Sequence, residues 1–96
     1  MQNAAPRKIN VIALFAAFKD DQVRRRITPY RFFTQEGDEH EIATIRRVYQ
    51  DKVGLALHVH FVVKTRAERY FDIVYDTKAV QWSIAVEIEE HLFFTD

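Results

Sequence analysis

Between Leu55 and Ile88, large apolar residues recur at every second position. Leu55, Leu57, Val59, Phe61 and Val63 form one run, followed by Phe71, Ile73 and Tyr75, and then by Val80, Trp82, Ile84, Val86 and Ile88. A period of two sends successive side chains to opposite faces, so each run predicts a half-buried strand. Placing the apolar sets on one face pairs Val63 with Phe71, Phe61 with Ile73 and Val59 with Tyr75. The same rule pairs Tyr75 with Val80, Ile73 with Trp82 and Phe71 with Ile84. A slip of one residue would turn every large side chain to the wrong face, so the register should be strongly specified. Asp76-Thr77-Lys78-Ala79 suits the turn between the last two strands, because Asp favours the start of a type I turn.

The pattern is less regular upstream. Ile9 to Phe18 is a nearly continuous apolar run that also fits a helical face at Val11, Leu14, Phe15 and Phe18. A strand is preferred because the segment from Val23 can pair back on it across Lys19 to Gln22, setting Phe18 against Val23, Leu14 against Ile27, Val11 against Tyr30 and Ile9 against Phe32. Val23 to Thr34 is a second strand. Pro29 within it has no N–H for a ladder and predicts an edge or a bulge. Gly37 sits in a polar turn where positive φ is useful. His40 to Gln50 spaces Ile42, Ile45 and Val48 by three. That reads as a bulged strand, with a helix over 40–50 as the alternative. Asp51 to Gly54 is the next turn.

The expected fold is therefore all-β: one domain over residues 1–96, six antiparallel strands in a meander, closing into a small, partly open barrel around Trp82, Phe61, Ile73 and Leu57. Residues 1–7 form an N-terminal tail and 89–96 a C-terminal one ending in Leu92-Phe93-Phe94. The apolar stretch after Arg7-Lys8 has the outline of a signal peptide, but Asn10 interrupts it and no small-x-small pair follows. It is also shorter than the roughly 20 residues of a membrane span. No membrane association is expected.

Composition adds little chemistry. Fourteen basic and fourteen acidic side chains cancel, so the overall field points to neither nucleic acid nor membrane. There is no cysteine, which excludes disulfides and thiolate metal sites and suits a cytoplasmic setting. Two glycines and the single Ser83 supply neither a phosphate-binding loop nor a nucleophile elbow. An enzyme is not the expectation, and no cofactor is implied.

Three surface features bear on function. The strand pairing sets His58 opposite Asp76, and His60 opposite Val74 with Asp72 and Asp76 on its diagonals. Two imidazoles and two carboxylates are ordinary ligands for zinc or iron, although ion pairs on a solvated, flat sheet would look the same. His40 and His91 stand apart and read as surface residues. Basic and aromatic residues interleave at Arg24, Arg26, Tyr30, Arg31, Phe32 and Arg46. Small barrels bind single-stranded nucleic acid with such a mixture, but the neutral net charge argues against that partner. Finally, the first strand is apolar on both faces, which favours a protein partner or a second copy of the chain. A non-catalytic, self-associating interaction module is the leading reading.

The order of features also resembles that of small uncharacterised bacterial proteins that fold as stand-alone β-meander barrels. The resemblance runs from Lys8-Ile9-Asn10-Val11-Ile12-Ala13 through Pro29-Tyr30-Arg31-Phe32, Glu41-Ile42 and Ile45, to Tyr70-Phe71-Asp72-Ile73 and Trp82. It implies the fold and a bacterial cytoplasmic setting, and it brings no catalytic residues.

Overall fold

A computed structural model describes residues 7–17 and 26–89. Six strands follow one another: β1 Arg7–Phe15, β2 Ile27–Phe33, β3 Glu39–Val53, β4 Ala56–Thr65, β5 Tyr70–Asp76 and β6 Gln81–Ile88. Each pairs antiparallel with the next, and β1 pairs with β6 through Arg7–Ile84, Lys8–Ser83 and Ile9–Trp82. The barrel is thus closed rather than partly open. Closure removes the free strand edges that an open sheet would leave, so β2 is not an edge strand.

The β4–β5 register is the expected one, with Phe61 opposite Ile73 and His58 opposite Asp76. Elsewhere bulges change the register. A bulge inserts one residue, bends its strand and increases the local twist, which a barrel of only six strands needs in order to close. In β2 the extra residue is Tyr30: Pro29 faces Ala13 and Arg31 faces Ile12. Ile27 therefore meets Phe15, not Leu14, and Phe32 meets Val11, not Ile9. The bulge lies beside the proline, as Pro29's missing N–H suggested. The proposed Phe18–Val23 pair and the loop between those residues lie outside the described residues.

The 40–50 segment is strand, not helix. Its register shifts twice, between Ile42 and Thr44 and between Ile45 and Arg47. Ile42, Ile45 and Val48 advance three residues at a time, while their partners Thr65, Val63 and Phe61 advance two. Each bulge restores the inward phase, so all three side chains pack on the core. β3 then continues to Val53 and turns through Gly54-Leu55, with Gly54 at φ +64°. Asp51 is thereby a strand residue. Leu55, expected inside a strand, is almost fully exposed in that turn.

Between β5 and β6 the connection is four residues long, with Asp76 opposite Gln81. Asp76 does open the turn: its Oδ1 accepts from the amides of Lys78 and Ala79. The loop has the expected four residues but starts one residue later, which moves the register by two, so Ile73 meets Ile84 and Tyr75 meets Trp82. A bulge at Ala85 then puts Val86 opposite Asp72 on the outside, which is why Val86 is half exposed.

Ile9, Ile27, Phe32, Val59, Phe61, Val63, Phe71, Ile73, Trp82 and Ile84 fill the interior. Leu57 is only half-buried, nearer the barrel end. His40 is buried, not on the surface. It stacks on Phe32 at 4.8 Å and lies 5.1 Å from Phe71, because it stands two residues before Ile42 and shares its inward phase.

Candidate functional site

With the interior filled by side chains, the chemistry lies on the outer wall. Three strands build its most polar stretch: Tyr49 and Asp51 from β3, His58 and His60 from β4, Asp72 and Asp76 from β5. β4 is the central strand, so its outward histidines have a neighbour on each side. Tyr49 faces His60 and Asp51 faces His58 across one ladder. Asp76 faces His58 across the other.

Each imidazole has a carboxylate partner on β5. His60 Nδ1 is 3.0 Å from Asp72 Oδ1. His58 Nε2 is 3.2 Å from Asp76 Oδ2. Asp72 also accepts the Tyr49 hydroxyl at 2.8 Å, and the Tyr49 ring lies flat on His60, 4.4 Å between centroids. The Arg47 guanidinium sits 4.7 Å from the centre of the Tyr49 ring. Burial, the Asp72 hydrogen bond and the Asp72 charge together push the Tyr49 phenol up to about 12. The turn amides of Ala79 and Lys78, with His58, hold the Asp76 carboxyl below its usual value.

On the β3 side, His60 Nε2 stands 3.6 Å from Asp51 Oδ1. Ligand-type atoms of Asp51, His58 and His60 all lie within 4.8 Å of one another. The four residues expected to form this site, His58, His60, Asp72 and Asp76, are therefore brought together, but in two layers. The β5 carboxylates brace the rings from one side and Asp51 faces them from the other. Asp51 and Tyr49 were missed. The signal that would have found them is the length of β3, which two bulges disguise.

The basic and aromatic set is less well gathered. Phe32 is fully buried in the core and so has no face to offer a base. Tyr30 is half exposed. Arg31 pairs with Glu39, Arg66 with Glu41 at 3.0 Å, and Arg69 with both oxygens of Glu87. Arg26 is half-buried and Arg46 is exposed on β3. Arg24 lies outside the described residues, as does His91.

The third feature is apolar. On the outer side of β1, Ile12 and Leu14 are 54% and 51% exposed, and Tyr30 at the β2 bulge is 51% exposed. Their inward neighbours Val11 and Ala13 pack on the core. Among the described residues no helix is long and apolar enough to cross a membrane. Comparison of the chain with known protein families, curated proteins and solved structures finds no match.

Proposed function

We propose that the protein is a non-catalytic binding module of the bacterial cytoplasm that acts as a homodimer, two copies joined through the outer face of β1–β2. The observation that carries this reading is the exposed row Ile12–Leu14 beside Tyr30. Apolar side chains grouped on one outer face favour burial against a partner. A filled interior leaves recognition to the outside of the wall, and a closed barrel offers no edge for strand addition. Contact must then be made face to face through side chains.

A second copy suits this face for two reasons. A C2 dimer brings the same patch of both copies together, so an apolar patch can be buried against its own image. Equal numbers of acidic and basic residues leave no net charge to drive two copies apart. The nucleic-acid reading is weaker, because Phe32 is buried and several arginines are matched by carboxylates.

Sedimentation equilibrium from low to high micromolar protein tests the proposal. The expected mass is twice that of the chain, and Ile12→Glu with Leu14→Glu should give a monomer with an unchanged circular dichroism spectrum. A wild-type monomer at every concentration would reject it. Binding to single-stranded DNA that weakens steeply with salt would favour the nucleic-acid alternative instead.

A further inference from the structure

We propose that Asp51, His58 and His60 bind one divalent transition-metal ion of the zinc type on the outer wall of β3–β4, with Asp72 and Asp76 orienting the two imidazoles. The donor set is two nitrogens and one carboxylate oxygen. Imidazole donors suit zinc, copper, nickel and iron, whereas magnesium and calcium take oxygen ligands.

Hydrogen-bond bookkeeping identifies the donor atoms. An ionised carboxylate only accepts hydrogen bonds, so the 3.0 Å contact to Asp72 places a proton on His60 Nδ1. In neutral His60 the lone pair is then on Nε2, 3.6 Å from Asp51 Oδ1. Two electron-rich atoms this close repel, and a cation between them removes the repulsion. Asp76 likewise engages one nitrogen of His58 and leaves the other for a ligand bond. A carboxylate behind a metal-binding histidine is the usual outer-shell arrangement, because it fixes the tautomer and raises ligand basicity.

The spacing is near what a metal requires. With bonds of about 2.0–2.2 Å and tetrahedral angles, two donors on one zinc ion lie about 3.3–3.6 Å apart. The His60–Asp51 distance falls within that range. The widest separation in the trio is at most 4.8 Å, so binding needs a closure of up to about 1.2 Å, on the order of one side-chain adjustment. The Asp51 side chain, 55% exposed against 14% for His60, has more room to adjust than His60. Both imidazoles are braced by β5 carboxylates and His60 is also stacked by Tyr49, so they supply the rigid half of the site. Three protein donors also leave a coordination position for water or another small ligand.

The site is independent of the β1–β2 face, so a monomeric protein would not affect it. Its test is titration of the chelator-treated full chain with zinc chloride by calorimetry, and with cobalt chloride by visible absorption. One equivalent of zinc should bind with micromolar affinity or better, and cobalt should give visible d–d bands. Asp51→Asn and His60→Gln should each weaken zinc binding at least tenfold. Asp72→Asn should weaken it about 10–100-fold, as loss of an outer-shell partner does. Asp51 is half exposed, so its variant keeps the fold and the assay remains informative if a histidine variant does not. Absence of stoichiometric binding by the wild type, or unchanged affinity in Asp51→Asn, would overturn the proposal.

Discussion

The Tyr49 hydroxyl donates to Asp72 Oδ2 at 2.8 Å, joining β3 to β5 over the top of the strand that separates them. The ring of Tyr49 covers His60 on that intervening strand, and His60 also contacts Asp72. One carboxylate thus collects two donors from two strands. Tyr49→Phe should keep the stack and lose about 1 kcal/mol of stability with the hydrogen bond, measured by urea unfolding. The phenol titrates at about 12 in the fold and near 10 when unfolded. Its contribution is therefore present below about pH 10 and lost as pH rises toward about 12. An ultraviolet pH titration should show a late phenol that is lost in Tyr49→Phe.

His40 predicts behaviour at the acid end. Burial, and next the charge of Arg69, hold its pKa below the ordinary value, while Asp38 and Glu87 pull the other way. A depressed histidine pKa means the unfolded chain takes up the proton first. The stability this residue contributes is present above about pH 6.5 and lost as pH falls below it. Thermal melts from neutral pH downward should show that loss, and His40→Phe, which keeps a ring between Phe32 and Phe71, should reduce it.

Two turns carry opposite lessons about backbone conformation. Val80 closes the β5–β6 loop at φ +57°, a region that β-branched residues strongly disfavour. Its side chain is 68% exposed, so little packing is lost on replacement. Val80→Asn should raise stability by about 0.5–1 kcal/mol, since Asn tolerates this conformation. Gly54 sits at φ +64°, and apart from its chain neighbours no atom lies within 4 Å of where a Cβ would stand. Gly54→Ala should therefore lower stability by about 1 kcal/mol through conformation alone. Denaturant midpoints of the two variants should move in opposite directions.

Where alternation was regular and the loop short, the sequence carried the pairing as well as the strands. Val59, Phe61 and Val63 face Tyr75, Ile73 and Phe71, because a one-residue slip would bury Lys64 or expose Phe61 and the loop is short. The contacts of His58 with Asp76 and His60 with Asp72 follow from that register and were legible with it. Strand β3 was harder to read. Two bulges make its inward residues recur every three positions, which imitates a helix, and they conceal that Asp51 lies beside His58. The β1–β2 register and the far end of the β5–β6 register moved for the same reason, since Tyr30 and Ala85 are extra residues that no alternation pattern reveals, while the β5–β6 turn begins one residue later than alternation suggests.

An all-β chain of six antiparallel strands, the Phe61–Ile73–Trp82 centre and the histidine–aspartate pairs across β4 and β5 could all be read from the residues alone. Those properties depend on local period and on nearest neighbours in the chain. Three others needed the folded molecule: the sheet closes through β1 and β6, His40 is a core residue, and Tyr49 and Asp51 complete the polar site. These depend on where bulges fall, and bulges are placed by the bending needed to close six strands around one filled interior.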